Sequence, residues 1–306
     1  MGKTFKKQEK SKENLYPEYL VKEVDRCLKS FLKRYEDIPE ELRNSIRYSI
    51  ESSGKRFRPV LSLATAQSLG FEISHVMPTA CAIEFIHTYS LIHDDLPAID
   101  NDDLRRGKPT CHRQFGEDIA ILTGDALFAE SFNIILKDQI ADPDIKLRVF
   151  DELISASGAS GMVAGQIVDV CSTGTIIPKE RLEYMHLNKT AKLITAAIRS
   201  SAILCNADPQ ILKGLTEYGL NIGLAFQITD DILDITSNSV LTGKTQGKDI
   251  LQLKSTYPHL WGLEESKKIA QRKISKAINS VMDINIDNRL LVDIARFILT
   301  RKALLI

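Results

Sequence analysis

The amino-acid sequence predicts an all-α fold, one helical bundle without a second domain. Apolar residues recur at three- and four-residue steps along almost the whole chain, which puts them on one face of a helix. No segment alternates with a convincing period of two, so no strand is expected. No Gly/Ser-rich linker or break in composition divides the 306 residues. With 43% hydrophobic residues the chain can bury one sizeable core, and a single domain over 1–306 is the economical reading.

The chain opens with MGKTFKKQEKSKENLYPEYL, which is rich in lysine. It lacks the apolar stretch of a secretory signal, and Lys6 stands where a myristoylation motif has Ser or Thr. Residues 1–15 are expected to form a disordered, solvated tail, with organelle targeting as the alternative. Leu20, Val24, Cys27, Leu28 and Phe31 mark the first helix, and a short acidic helix follows Pro39. In SSGKRFRPVLSLATAQSLG, Pro59 suits the first turn of a helix that runs to Gly70. Lys55, Arg56 and Arg58 cluster where that helix begins, although cations are disfavoured at a helix N-terminus. An anion docked there would be served by the cations and by the free N–H groups together.

Residues 75–95 read as a helix that is apolar on nearly all sides, hence central in the bundle. His87 and Asp94 lie two turns apart on one face. Pro97 ends this helix and leaves Asp100 just past it, while Gly107 and Pro109 mark a loop. Helical patterns resume at 118–139, 146–157 and 161–171. The last places Gly161, Gly165 and the pair Gln166/Asp169 along a helix whose small residues admit another backbone or a ligand. Helices at 178–187 and 188–206 follow, the second carrying Lys189, Thr190 and Lys192. Asp208-Pro209 caps and opens a long helix. On it Gly219, Gly223, Phe226, Gln227, Asp230 and Asp234 form one stripe. The loop TGKTQGKD carries Lys244 and Lys248, and two closing helices end near Ile306.

Composition excludes several classes. The formal net charge is zero, which argues against a general nucleic-acid binder. Five cysteines are scattered singly, with no CxxC or Cys/His ligand spacing. They read as reduced thiols of a cytoplasmic protein. No run of 18 or more apolar residues occurs, so no membrane span is expected.

Chemistry concentrates in two acidic motifs, DDLPAID with NDDLRRG behind it, and DDILD. Asp94, Asp95, Asp100, Asp102 and Asp103 fall within a few turns, and such carboxylates repel one another. One DDxxD would usually be a solvated helix face. Two copies at the ends of apolar helices need cationic partners. Carboxylates without His or Cys suit hard divalent ions such as Mg²⁺, shared with substrate phosphates. Lys55, Arg58, Arg105, Arg106, Lys189, Lys244 and Lys248 flank the same segments. Together they carry enough charge for two diphosphates, one bound through metal and one bound directly. An HD-type phosphohydrolase would need histidines that pair, and His75, His112, His186 and His259 do not. ExxH pairs of a di-iron bundle and a GxxxxGK[ST] loop are absent from the sequence.

Eight blocks then carry a resemblance. GKRFRP (54–59), EFIHTYSLIHDDLPAIDNDDLRRGKPT (84–110), GDALF (124–128) and GMVAGQIVDV (161–170) are followed by NKT (188–190), FQITDDILD (226–234), GKTQGKD (243–249) and KSTYP (254–258). In this order they resemble the trans-isoprenyl diphosphate synthases of the farnesyl/geranylgeranyl class, over roughly residues 15–300. The four-residue gap in DDLPAID is similar to that of bacterial farnesyl and plant-type geranylgeranyl synthases. The resemblance implies an isoprenoid-synthase-type helical bundle around a deep apolar pocket, usually a homodimer. It implies about three Mg²⁺ held by Asp94, Asp100 and Asp230, with Asp95, Asp231 and Asp234 close by. It assigns Arg105, Lys189, Thr190, Gln227 and Lys244 to the allylic diphosphate, with Gln166 and Asp169 in the pocket wall. Lys189, Thr190, Gln227 and Lys244 are its catalytic set. Lys55, Arg58, His87 and Arg106 match the isopentenyl diphosphate site. Tyr89 and Ser90 match the pocket floor, and the bulk of Tyr89 implies a fifteen-carbon farnesyl product. A geranylgeranyl synthase is the alternative within the class. A non-catalytic regulatory subunit and a terpene cyclase are the alternatives outside it.

Overall fold

The computed structural model describes residues 15–52, 54–236 and 255–301. The lysine-rich tail, Lys244 and Lys248 lie outside the described residues. Helices α1 (Glu18–Leu32), α2 (Glu40–Ile50) and α3 (Phe57–Ser68) lead to the central α4 (Met77–Asp94). A short α5 (Cys111–Phe115) precedes α6 (Glu117–Asp138), α7 (Pro143–Ser157) and α8 (Met162–Ser172). Then come α9 (Lys179–His186), a π-turn (Leu187–Ala191), α10 (Lys192–Leu204) and the long α11 (Pro209–Thr236). Helices α12 (Tyr257–Trp261), α13 (Leu263–Met282) and α14 (Arg289–Thr300) complete the described chain.

The all-α expectation holds, with one addition. Leu104–Arg105 and Lys108–Pro109 pair as a two-residue antiparallel hairpin. It is too short to show a period of two, and Arg106 and Gly107 turn it with φ of 54° and 74°. The π-turn is the second departure, since plain α-helix was expected from 188 onward.

Helix α4 is buried on all sides between Thr79 and Ile86, as its unbroken apolar composition requires. It packs on α6 and α3, while α10 packs on α7 and α3, and α11 on α10 and α13. Asp208 caps α11, its Oδ1 accepting from the Ile211 amide at 2.8 Å. Glu117–Asp138 and Pro143–Ser172 are long and apolar enough to cross a membrane by length and composition, with 39% of each window buried in the bundle. Ile121, Leu122, Leu136, Ile140, Leu147 and Ile154 remain exposed on α6 and around α7.

Two buried polar centres fix the helices around the core. Arg56 caps α3 in the left-handed region, with φ 49°. Its guanidinium donates to Glu84 of α4 at 2.8 Å, Asp25 of α1 at 2.9 Å and the Ile50 carbonyl of α2 at 2.7 Å. One side chain thus ties four helices. His186 ends α9 beside a second, smaller core that contains Leu182, Met185, Ile228, Ile232 and Tyr257. Its ring stacks on Tyr257 at 5.4 Å. Its Nε2 stands 3.8 Å from Asp231, too far for a hydrogen bond.

Removing one partner of a buried ion pair costs about 3–5 kcal/mol. Arg56→Met should therefore lower the unfolding free energy from urea titration by that much, and Glu84→Met on top of it should recover most of the loss. A wild-type midpoint for Arg56→Met would refute the tie. Burial pushes His186 down to about 3 from an ordinary 6.5. Between those values only the unfolded chain binds the extra proton, so this contribution to stability falls as pH drops below 6.5. About 2 kcal/mol should be lost from this source between pH 6.5 and 5. His186→Gln should flatten the stability–pH curve by that amount, measured by denaturant titration at the two pH values.

Candidate active site

The first acidic motif is built by a reversal of the chain after α4. The Asp100 amide donates to the Asp94 carbonyl at 2.9 Å, Asn101 to Leu96 at 3.0 Å, and Asp102 to Asp95 at 3.1 Å. Asn101 accepts φ 50° at the turn, which Asn tolerates. This fold-back brings Asp100 beside Asp94. Burial, then the like charges of Asp100 and Asp169, push Asp94 up from the usual carboxylate range, against the pull of Lys189 and Arg105.

Lys189 is the cation set among these carboxylates. Its Nζ lies 2.5 Å from Asp169 Oδ2 and 3.8 Å from Asp94 Oδ2. Asp94, Asp169 and Asp100 hold its pKa above the ordinary lysine value although burial opposes them. The π-turn puts it there, as such bulges often do at functional sites. Two glycines let the turn sit between helices. A Cβ on Gly165 would lie 2.2 Å from the Lys189 amide nitrogen, and one on Gly223 2.6 Å from Ala191 Cα. The next residue, Thr190, donates to Gln227 Oε1 at 2.9 Å, and Gln227 Nε2 donates to Asp231 at 3.1 Å. The turn thereby joins the first motif to the second, on α11.

Not every aspartate stands in the same role. Asp95 is buried and takes the Arg105 guanidinium in a bidentate pair at 2.5–2.8 Å. Asp231 is buried and accepts the Tyr257 amide at 2.9 Å. Asp94, Asp100 and Asp230 are each less buried than these two. Gln166 has a shielded Nε2 with no partner among the described residues. Ser90 is back-bonded to the His87 carbonyl at 2.8 Å.

Tyr89 begins a row of partly exposed rings. It meets Phe128 edge-on at 4.8 Å, Phe128 meets Phe132 at 5.1 Å, and Phe132 meets Phe150 at 4.7 Å. Only Tyr89 was expected from the sequence. The phenylalanines were legible as helix positions, and their alignment across α6 and α7 was not.

A small cavity of about 30 Å³ is lined by Lys55, Arg56, Arg58, His87, Arg106 and Arg301, with Phe57, Phe226, Phe297 and Glu84. Glu84 and Arg56 are paired to each other. The Nε–H groups of Arg58, Arg106 and Arg301 are shielded and lack partners among the described residues. Burial, with Arg106 adding repulsion, pushes Arg58 down to about 10. Burial brings Arg106 to about 10 as well. Burial and then the neighbouring arginines hold His87 well below 6.5, so it is neutral at pH 7. A buried donor without an acceptor costs about 1–3 kcal/mol, more when charged. Several around one void make a site for a multivalent anion. The sequence placed Lys55, Arg58, His87 and Arg106 together and missed Arg301, whose only signal was an arginine closing an amphipathic helix.

Comparison with known proteins identifies the family. The family profile described as Polyprenyl synthetase matches residues 39–287. The chain is 41% identical over 280 residues to a farnesyl diphosphate synthase of Geobacillus stearothermophilus, covering 91% of this chain and 94% of that one. It is 44% identical over 265 residues to a geranylgeranyl diphosphate synthase of Cyanophora paradoxa, covering 86% and 88%. A geranyltransferase of Helicobacter pylori, solved with magnesium and isoprenyl diphosphate, superposes with a TM-score of 0.80 at 33% identity, over 96% of this chain and 98% of that one. The chain belongs to the polyprenyl synthetase family.

Proposed function

We propose that this chain is a prenyltransferase that joins isopentenyl diphosphate head to tail to an allylic diphosphate, with farnesyl diphosphate as product. One observation carries the reading. A carboxylate-lined site around Lys189 and a separate cationic cavity lie at the two ends of one stretch of α4, between His87 and Asp94. One binds a diphosphate through metal, the other binds one directly.

The donor set fits Mg²⁺. It offers carboxylate oxygens only, from Asp94, Asp100 and Asp230, with Asp234 a turn beyond. Among the described residues no three His, Cys, Asp or Glu side chains close on one point. Mg²⁺ uses such open sets when substrate phosphates and water complete its shell. Bound there, Mg²⁺ supplies neutralisation of the departing diphosphate. Lys189 adds a fixed positive charge where negative charge develops on the leaving oxygen. Thr190 and Gln227 hold the turn that carries it. The leaving diphosphate takes the bonding electrons, and the aromatic row keeps water from the allylic cation that remains. Lys55, Arg58, neutral His87 and Arg106 hold isopentenyl diphosphate so that its double bond meets that cation. A proton is then lost, and the released diphosphate can accept it. Lys244 belongs to this reading as a catalytic group and lies outside the described residues.

The single-domain assignment over 1–306 is part of this proposal. So is a cytoplasmic setting, which the five free cysteines suit. Six large apolar side chains, Ile121, Leu122, Leu136, Ile140, Leu147 and Ile154, are exposed on α6 and around α7. A second copy of the chain is proposed to cover them. Sedimentation at the mass of two chains is the expected result, and a monomer at micromolar concentration would count against it.

The decisive assay mixes protein, Mg²⁺, isopentenyl diphosphate and dimethylallyl or geranyl diphosphate, then sizes the products. Farnesyl diphosphate is expected, abolished by chelator. No condensation would end the reading. A twenty-carbon main product would favour the geranylgeranyl alternative, which the Cyanophora relative supports. Tyr89→Ala should lengthen the product by at least one five-carbon unit. Unchanged length would remove Tyr89 as the gauge.

A further inference from the structure

Arg301 follows the last turn of α14 and touches both halves of the site. Its side chain is 6% exposed. Nη2 donates to the Phe226 carbonyl at 2.8 Å and also to Asp230 Oδ1. The guanidinium carbon lies 4.0 Å above the Phe226 ring, and that ring stacks on Phe57 at 4.7 Å, at the start of α3 next to Arg58. Arg301 lines the cationic cavity, and its shielded Nε has no partner among the described residues. The side chain therefore bonds a carboxylate of the second acidic motif while lining the cationic cavity.

We propose that Arg301 is a shared ligand that couples cation binding at Asp230 to diphosphate binding in the cavity lined by Lys55, Arg58, His87 and Arg106. The proposal rests on the reading of those two sites given above. Two cations cannot hold the same carboxylate oxygen at full strength. A divalent ion arriving at Asp230 weakens the hold of Asp230 on Arg301, through competition and like-charge repulsion. A diphosphate in the cavity offers the freed guanidinium charge-assisted hydrogen bonds. Each event favours the other, and linkage makes the coupling reciprocal. The metal-bound substrate and the directly bound one then bind cooperatively through one side chain. Arg301 is a positioning residue toward the metal and a binding residue toward the second diphosphate.

The test uses the whole chain as wild type, Arg301→Gln and Arg301→Lys. Mn²⁺ binding without substrate, followed by electron paramagnetic resonance, should tighten about 3- to 10-fold in Arg301→Gln because a competitor is gone. KM for isopentenyl diphosphate should rise about 10-fold or more from the lost charged hydrogen bonds, while KM for the allylic substrate changes less than about 2-fold. Arg301→Lys keeps the charge without the planar fork and should fall between the two on both measures. An Mn²⁺ affinity at or below wild type in Arg301→Gln overturns the proposal. So does an unchanged KM for isopentenyl diphosphate. A rise in both KM values by one factor with a lowered melting temperature also overturns it, because that is the mark of general damage. Failure of the parent reading is seen separately, as a wild-type protein that neither condenses the substrates nor binds isopentenyl diphosphate.

Discussion

The ammonium group of Lys189, set among Asp94, Asp100 and Asp169, is the interaction on which the rest of the site depends. Three carboxylates brought together in a partly dry space would otherwise be driven toward protonation. Lys189 pulls against the burial that pushes Asp94 up, and the carboxylates hold Lys189 above the ordinary lysine value. Its placement draws on four separate pieces of chain. The fold-back after α4 supplies Asp100, α8 supplies Asp169 and Gly165, α11 supplies Gly223 and Gln227, and the π-turn supplies the lysine itself. None of these segments is adjacent in sequence to more than one other, so the cluster exists only when the bundle is assembled.

The arginines divide the electrostatic labour by their partners. Arg56 is spent on Glu84 and Asp25 and serves the fold. Arg105 is spent on Asp95 and stiffens the turn that presents Asp100. Arg58, Arg106 and Arg301 line one cavity, and each keeps a shielded Nε without a partner among the described residues. Residue type cannot make this distinction. The burial and pairing of each guanidinium do, because a desolvated donor either has its acceptor within the protein or waits for one from outside.

Much of the architecture could be read from the chain. Helix α4 was legible because eighteen mostly apolar residues can only sit at a centre, and α11 because Asp208-Pro209 marks its start and its glycines form a stripe. The role of Gly165 was legible as a need for close approach, though not its neighbour, the Lys189 backbone. Glu84 carried a signal that went unread: a lone carboxylate inside an apolar helix must meet a buried cation, and Arg56 is that cation. The pairing of Arg105 with Asp95, the ring row beyond Tyr89 and the reach of Arg301 to Asp230 were not legible. They depend on which helices become neighbours, and amphipathic periodicity fixes faces without fixing partners. The π-turn was hidden because one extra residue per turn leaves no mark on composition.

That extra residue has a consequence for any lineage of this chain. An α-helix advances about 100° per residue, and the wide turn at Leu187–Ala191 takes one extra residue for about the same sweep. Deleting one residue there would restore an unbroken α-helix with α9 and α10 close to their present phase, and it would remove the bulge that carries Lys189. The lysine would lose the backbone position from which it reaches Asp169 and Asp94, while the buried face of α10 would keep its place on α3 and α7. Substitutions in this segment can accumulate one at a time, but a change of length must be matched by another within the same turn. The turn acts as a frame marker for the middle of the molecule, and the spacing between His186 and Lys192 is more constrained than the identity of the residues that fill it.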